Sequence, residues 1–349
     1  MAITPTITDF VRKSRKPGVV DQTKSLSPLW MDLWKNKQAA GGGAVEWSIR
    51  YRPNNRTMGW GEFAEAKVQK KDVITTPTLS TIDIAEPVDI SINRMKKIKS
   101  GANGADGLVN YLNEMSQASE DSILEFLSQS IFTTGVTVSN ADGEDLPNLT
   151  GLGGIVSSSS TYGGIAVADC PYWASNVIGS TTTADNGDDG MTAATYLGIT
   201  IAGTETLANL MTTTHNAYLG KLLSTTVANC TWGADRPNLI VVNIGAYSLI
   251  EQTLMPSQRY PQDVGYGGFK GIYWQGIPVV VDRKCPARCI FVLTTKYLEL
   301  RANPGMEITF DPFEKRPGTD VLTGMWKFTG QMICTSRRHQ GGIFNLPTA

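Results

Sequence analysis

A chain of 349 residues with 41% hydrophobic content can fill one large domain or two smaller ones, so disorder is not the default. Its 31 Lys and Arg balance 32 Asp and Glu, so no global field draws a polyanion to the whole surface, and a dedicated nucleic-acid reader is disfavoured. No run of about twenty apolar residues occurs and none follows the first residues, so neither a membrane span nor a signal peptide is expected.

In chain order, residues 1–40 combine a basic cluster (Arg12, Lys13, Arg15, Lys16) with "PLWMDLWKNKQ", where Leu29, Leu33 and Trp34 share a helical face, predicting a short helix on a loose arm. Gly41, Gly42 and Gly43 follow, giving the backbone the freedom of a hinge or tight turn. Val45, Trp47, Ile49 and Tyr51 then alternate with period two up to a polar tip, "RPNNRTMGWGEF", and "VITTPTLSTIDIAEPVDISI" returns. This predicts a long antiparallel excursion, which cannot bury both faces alone and needs its own body or a neighbouring subunit beneath it. "NRMKKIKSGANG" reads as a basic turn. Asp106 stands where an N-cap would, and Leu108, Leu112, Met115, Ile123, Leu127 and Ile131 recur at helical spacing, so one long amphipathic helix runs toward Gly135, a suitable C-terminal cap. Residues 135–200 are rich in Gly, Ser, Thr, Asn and Asp and read as turns and short strands. "TETLANLMTTTHNAYLGKLL" predicts a helix, "PNLIVVN" a buried strand and "GAYSLIEQTLM" a further helix, a mixed α/β unit over about 190–295. "MEITFDPF", "TGMWKFTGQMICTSRR" and "GGIFNL" alternate and end the chain in antiparallel strands.

The candidate chemical sites are weak. Cys285 and Cys289 in "CPARC" lack the second Cys/His pair of a structural zinc site and the CxxC spacing of a redox dithiol; with Val279–Val281 before and Ile290–Leu293 after, the loop reads as the turn of a hairpin. The five cysteines, with Cys170, Cys230 and Cys334, are odd in number and scattered, predicting buried, reduced thiols. His215 and His339 have no motif partners, and neither HExxH nor GxSxG occurs. "GYGGFKG" (265–271) precedes a strand rather than a helix, so its amides cannot form a phosphate loop. "DNGDDG" (185–190) has Tyr196 where a calcium loop needs a bidentate glutamate. The basic clusters read as solvated faces; any contact with DNA would be nonspecific. No catalytic, cofactor or metal residue is assigned, and no cofactor is expected.

The order of parts resembles the major capsid proteins of tailed bacteriophages, the Hong Kong 97-like fold family. The resemblance is carried by "GGGAVEWSIRYRPNNRTMGWGEF", by "LSQSIFTTG" followed by "LTGLGGIV", by "GGIAVADCPYWASNV" with Trp173, by "NLIVVNIGAYSLI", by "GGFKGIYWQGIPVVVDRKCPARCIFVLTTKYLEL" and by "TGQMICTSRRHQGGIFNL", which together span most of residues 40–346. It implies an α+β fold with an N-terminal arm (1–43), an extended β-hairpin loop (44–80), a peripheral domain (81–150 and 296–349) with a spine helix at about 106–133, and an axial mixed α/β domain (151–295). It further implies hexamers and pentamers in an icosahedral shell around double-stranded DNA, a separate scaffolding protein, a portal, a decoration protein as a further partner, and synthesis in the host bacterial cytoplasm. Under this resemblance Gly41–Gly43 form a hinge, and Arg56, Trp60, Glu62 and Phe63 at the loop tip contact the neighbouring subunit. An encapsulin-like nanocompartment, a tail-tube subunit and a cysteine-dependent enzyme are the alternatives.

Overall fold

The computed structural model describes residues 27–50, 73–100, 104–134, 138–139, 145–146, 148–178, 213–254, 272–287, 289–315, 317–344 and 346. Helix α1 (Pro28–Lys35) starts where Ser27 accepts a hydrogen bond from the Trp30 amide and Pro28 supplies a preset φ. Its Leu29, Trp30 and Leu33 are buried; Trp30 stacks on Trp34, and both rings meet Phe328. At about 1.5–3 kcal/mol per large apolar side chain, that burial docks the helix firmly. After β1 (Gln38–Ala39), strands β2 (Ala44–Glu46) and β3 (Ile49–Arg50) leave the body and β4 (Ile74–Thr75) and β5 (Thr78–Ser80) return. β2 pairs β5 and β3 pairs β4, both antiparallel, so the base of the expected excursion is a hairpin.

Strand β6 (Ile82–Ser91) leads into α2 (Ile92–Lys99), where a basic turn was expected. Ile98 is buried with Met95 packed beside it, so a sparse apolar spacing suffices once β6 and the next helix lie beneath it. The long helix α3 (Gly104–Ser130) begins two residues before Asp106, which is therefore inside the helix rather than its N-cap. Ile123 and Leu127 of its second half are buried, with Ile131 just beyond; Gly135, the expected cap, lies outside the described residues. At the end of the helix the Thr133 amide and hydroxyl both donate to the Ser130 carbonyl. The remaining elements are β7 (Val138–Ser139), β8 (Asp145–Leu146), the short helix α4 (Leu152–Ile155), β9 (Asn176–Ile178), α5 (Thr213–Cys230), β10 (Leu239–Val242), α6 (Ile244–Leu254), β11 (Ile272–Trp274), β12 (Ile277–Val281), β13 (Ile290–Leu293), β14 (Leu298–Ala302), β15 (Thr309–Lys315), β16 (Val321–Cys334) and β17 (Gly341–Ile343).

Two sheets organise these elements. In one, β1, β14, β16 and β15 follow in order, and β6 pairs with β16 antiparallel from Ser91–Val321 to Ile82–Gly330. Gly324 is required here, because a Cβ would stand 2.6 Å from the Phe310 ring. The other sheet runs β11-β12-β10-β13-β17-β9. Its alternation feeds two cores: Val241, Phe291 and Leu293 face the core that holds α1 and the end of α3, whereas Ile240, Val242, Ile290 and Val292 face the core of α5 and α6. Apolar runs without polar alternation are the sequence signature of such a doubly covered sheet.

This topology corrects the reading of CPARC. β12 and β13 do not pair with each other, because β10 lies between them, parallel to β12 and antiparallel to β13. The segment is a crossover rather than a hairpin turn. The last strand, β17, pairs with β13 and, in parallel, with β9.

Candidate functional site

The feature with the most connections is the base of the projecting hairpin. Trp47 on the outgoing side stands 6.2 Å from the ring of Tyr162, which stands 6.0 Å from Trp173. The Trp173 indole donates to the Tyr162 carbonyl at 3.1 Å, and the Tyr162 hydroxyl accepts the Cys334 amide at 2.8 Å. On the returning side the Thr78 amide donates to the Gly163 carbonyl at 3.2 Å. Gly163 has φ +59°, and a Cβ there would stand 2.6 Å from Pro77, so glycine is demanded by both conformation and space. The Gln331 amide completes the attachment by donating to the Ser80 carbonyl, while its oxygen accepts the Thr150 amide.

Behind Tyr162 lies Arg337, fully buried. Its guanidinium donates to the carbonyls of Ile155 at 2.7 Å, Ser157 at 3.0 Å, Ser160 at 3.1 Å and Gly154 at 3.4 Å, and to the Ser160 hydroxyl at 3.1 Å. The Tyr162 ring faces it at 5.3 Å. Burial pulls its pKa down to about 10, with partial compensation from the Cys334 and Tyr162 side chains. Burial likewise raises the Tyr162 phenol well above its ordinary value. A charge buried on carbonyl dipoles fixes the 154–160 strap in one conformation.

Gly41, Gly42 and Gly43 precede β2. A Cβ on any of them would meet nothing within 4 Å, and only Gly42 has positive φ, +127°. Thr81 grips the segment from the returning strand, its amide on the Gly43 carbonyl at 3.1 Å and its hydroxyl on the Gly42 carbonyl at 3.3 Å. The loop-tip residues Arg56, Trp60, Glu62 and Phe63 lie outside the described residues, as do the 12–16 cluster, the 185–190 and 265–271 loops and the side chain of His215.

Helix α1, expected on a loose arm, is instead docked in the core and has its own anchor. Asp282, buried at the end of β12, accepts the Ser27 hydroxyl, and its carboxylate also takes the amides of Lys284, at 2.9 Å, and Leu29. Burial raises its pKa, against the lowering effect of those donors. Lys284 reaches Glu125 on α3, so the CPARC crossover is bound to both arm and long helix. All five cysteines are buried and none forms a disulfide. Burial pushes Cys285 well above its ordinary value, and Cys230 and Cys334 up to about 12, opposite to what a nucleophile needs. Among the described residues no group of three or more His, Cys, Asp or Glu could hold a metal, and no helix is long and apolar enough to cross a membrane.

Tyr162, Arg337 and Asp282 escape sequence reasoning because their hydrogen-bond partners are far away in the chain, as Cys334 is from Tyr162 and Ser27 from Asp282, or lie in unpatterned loop. Buried Arg337, within "SRR" after a strand, carries no local mark of its role.

No protein-family model matches the chain, and no curated protein matches it by sequence. Solved structures do match. The cyanophage A-1(L) capsid asymmetric unit aligns with TM-score 0.63 at 14% identity, over 96% of this chain and 97% of that one. The holo-SrpI encapsulin complex from Synechococcus elongatus PCC 7942 aligns with TM-score 0.56 at 10% identity, over 99% and 97%. The capsid of an empty GTA particle aligns with TM-score 0.53 at 11% identity, over 99% of both chains. From arm helix to final strand, this chain has the Hong Kong 97-type fold of phage capsid proteins.

Proposed function

We propose that this protein is the major shell subunit of a tailed bacteriophage. Copies form rings of six and five that close into an icosahedral capsid around double-stranded DNA. The observation that carries this reading is the near end-to-end likeness to the cyanophage capsid subunit, over 96% of this chain and 97% of that one. The hairpin base supports it physically: a two-stranded ribbon leaving the body is marginal alone and gains stability by lying on another surface. In a ring of identical chains the next subunit supplies that surface, and Arg56, Trp60, Glu62 and Phe63 make the contact. Gly41–Gly43 form the hinge that lets arm and hairpin be redirected. The arm, loop, peripheral and axial divisions at 1–43, 44–80, 81–150 with 296–349, and 151–295 follow the same reading, with a separate scaffolding protein, portal and decoration protein as partners. The role is structural, not catalytic, and the location is the virion.

An encapsulin-like compartment is the second reading, favoured by the likeness to the encapsulin complex. Particles isolated from the native source decide between them. Packaged double-stranded DNA supports the capsid, whereas a protein cargo without DNA supports the compartment.

A further inference from the structure

Away from the hairpin base, four chain segments converge on an exposed cluster that the fold does not use. The Arg338 guanidinium lies 3.1 Å over the Trp232 ring and 4.9 Å from Tyr172. Trp232 is 42% exposed and Tyr172 48%. The cluster is pre-organised. The Trp232 indole donates to the Asn229 carbonyl at 2.8 Å, a bridge pairs Trp232 with Asp235 around Gly233 at φ +62°, and the Arg338 carbonyl accepts Asn176 at 2.8 Å. Beneath it Tyr297 stacks on His339 at 4.4 Å. Asp235, the nearest acidic residue in sequence to Trp232, is engaged by Lys296 and the Tyr297 hydroxyl. Among the described residues, no carboxylate forms an ion pair with Arg338.

A guanidinium whose face is covered by an indole keeps its N–H edge for a planar, bidentate acceptor, and the flanking rings strengthen that bond by excluding water. Trp, Tyr and Arg are also the residues that dominate interface energetics. The partner's chemistry follows from the charge distribution. Residues 1–26 and 51–72 together hold ten of the chain's basic residues and five of its acidic ones, leaving 21 basic against 27 acidic on the remainder. Outside those two segments another copy is therefore on balance acidic and supplies carboxylates.

We propose that the Trp232–Arg338–Tyr172 cluster is a self-association contact that receives an Asp or Glu of a neighbouring copy. This rests on the shell reading above and adds a second contact, separate from the hairpin. The test uses Arg338→Ala, Arg338→Lys, Trp232→Ala and Tyr172→Ala, each expressed in full length with the presumed scaffold. Shells are counted by sedimentation velocity and negative-stain microscopy, and folding is followed by near-ultraviolet circular dichroism. The expected result is that Arg338→Ala and Tyr172→Ala keep the wild-type spectrum but need at least about tenfold more protein to assemble, the loss of one hot spot. Arg338→Lys, which keeps the charge without the planar fork, shifts assembly in the same direction. Assembly of folded Arg338→Ala and Tyr172→Ala at the wild-type concentration overturns the proposal. So does normal shell yield with reduced nucleic-acid content, which assigns the cluster to phosphate instead. A wild-type chain that never assembles overturns the shell reading itself, a result distinct from variants that fail beside an assembling wild type.

Discussion

Arg337 gathers four carbonyls and a hydroxyl of the 154–160 strap, with no acidic partner among the described residues, so removing its fork leaves buried acceptors unsatisfied. Arg337→Met is expected to lower unfolding stability by about 3 kcal/mol or more, and Arg337→Lys to recover only part of it, as read from urea transitions. Asp282 acts with the opposite electrostatic sign to a surface carboxylate. Burial raises its folded pKa above the unfolded value, so its contribution is fully present below the unfolded pKa and is lost as pH rises through the folded one. Comparing wild type with Asp282→Asn, the stability difference should shift against the wild type as pH rises from about 4 to about 7. A difference independent of pH would show that the carboxylate is not strained by burial. Cys285 and Cys289 should resist thiol reagents until the chain unfolds, and the double alanine variant should still assemble; rapid labelling of the folded protein would contradict their packed role.

At the scale of elements, the three glycines at 41–43 make a graded prediction. Gly42 sits at φ +127°, so Gly42→Ala should cost about 1 kcal/mol, whereas Gly41→Ala and Gly43→Ala have open space and ordinary φ and should be neutral or slightly stabilising in thermal melts. If the triple alanine variant still gave normal shells, freedom at 41–43 would not be needed for assembly. These elements also show what a sequence discloses. Helix α3 and strand β10 were legible because their apolar spacing is set by burial along one element. Helix α2 was hidden because its apolar side is made of little more than Met95 and Ile98, and its helical state depends on packing against β6 and α3. The start of α3 was misplaced because Asp106 is a good cap by type, yet the helix begins at Gly104. CPARC looked like a hairpin because two strand-like runs flank a short loop; that β10 inserts between them is decided by pairing some forty residues away.

For the whole molecule, the succession of short helix, hairpin, long helix, mixed α/β unit and returning strands was legible as an order of parts. The knot of Tyr162 and Arg337 and the exposed Trp232–Arg338–Tyr172 cluster were not, because each joins segments whose only relation is the finished fold. The shell reading assigns both the hairpin and the surface cation–aromatic cluster to contacts with other chains. The most direct measurement is negative-stain electron microscopy of the full-length chain, expressed alone and with its presumed scaffold. Closed shells, or regular rings of five or six, are the predicted result. A discrete monomer or dimer under both conditions would contradict the account.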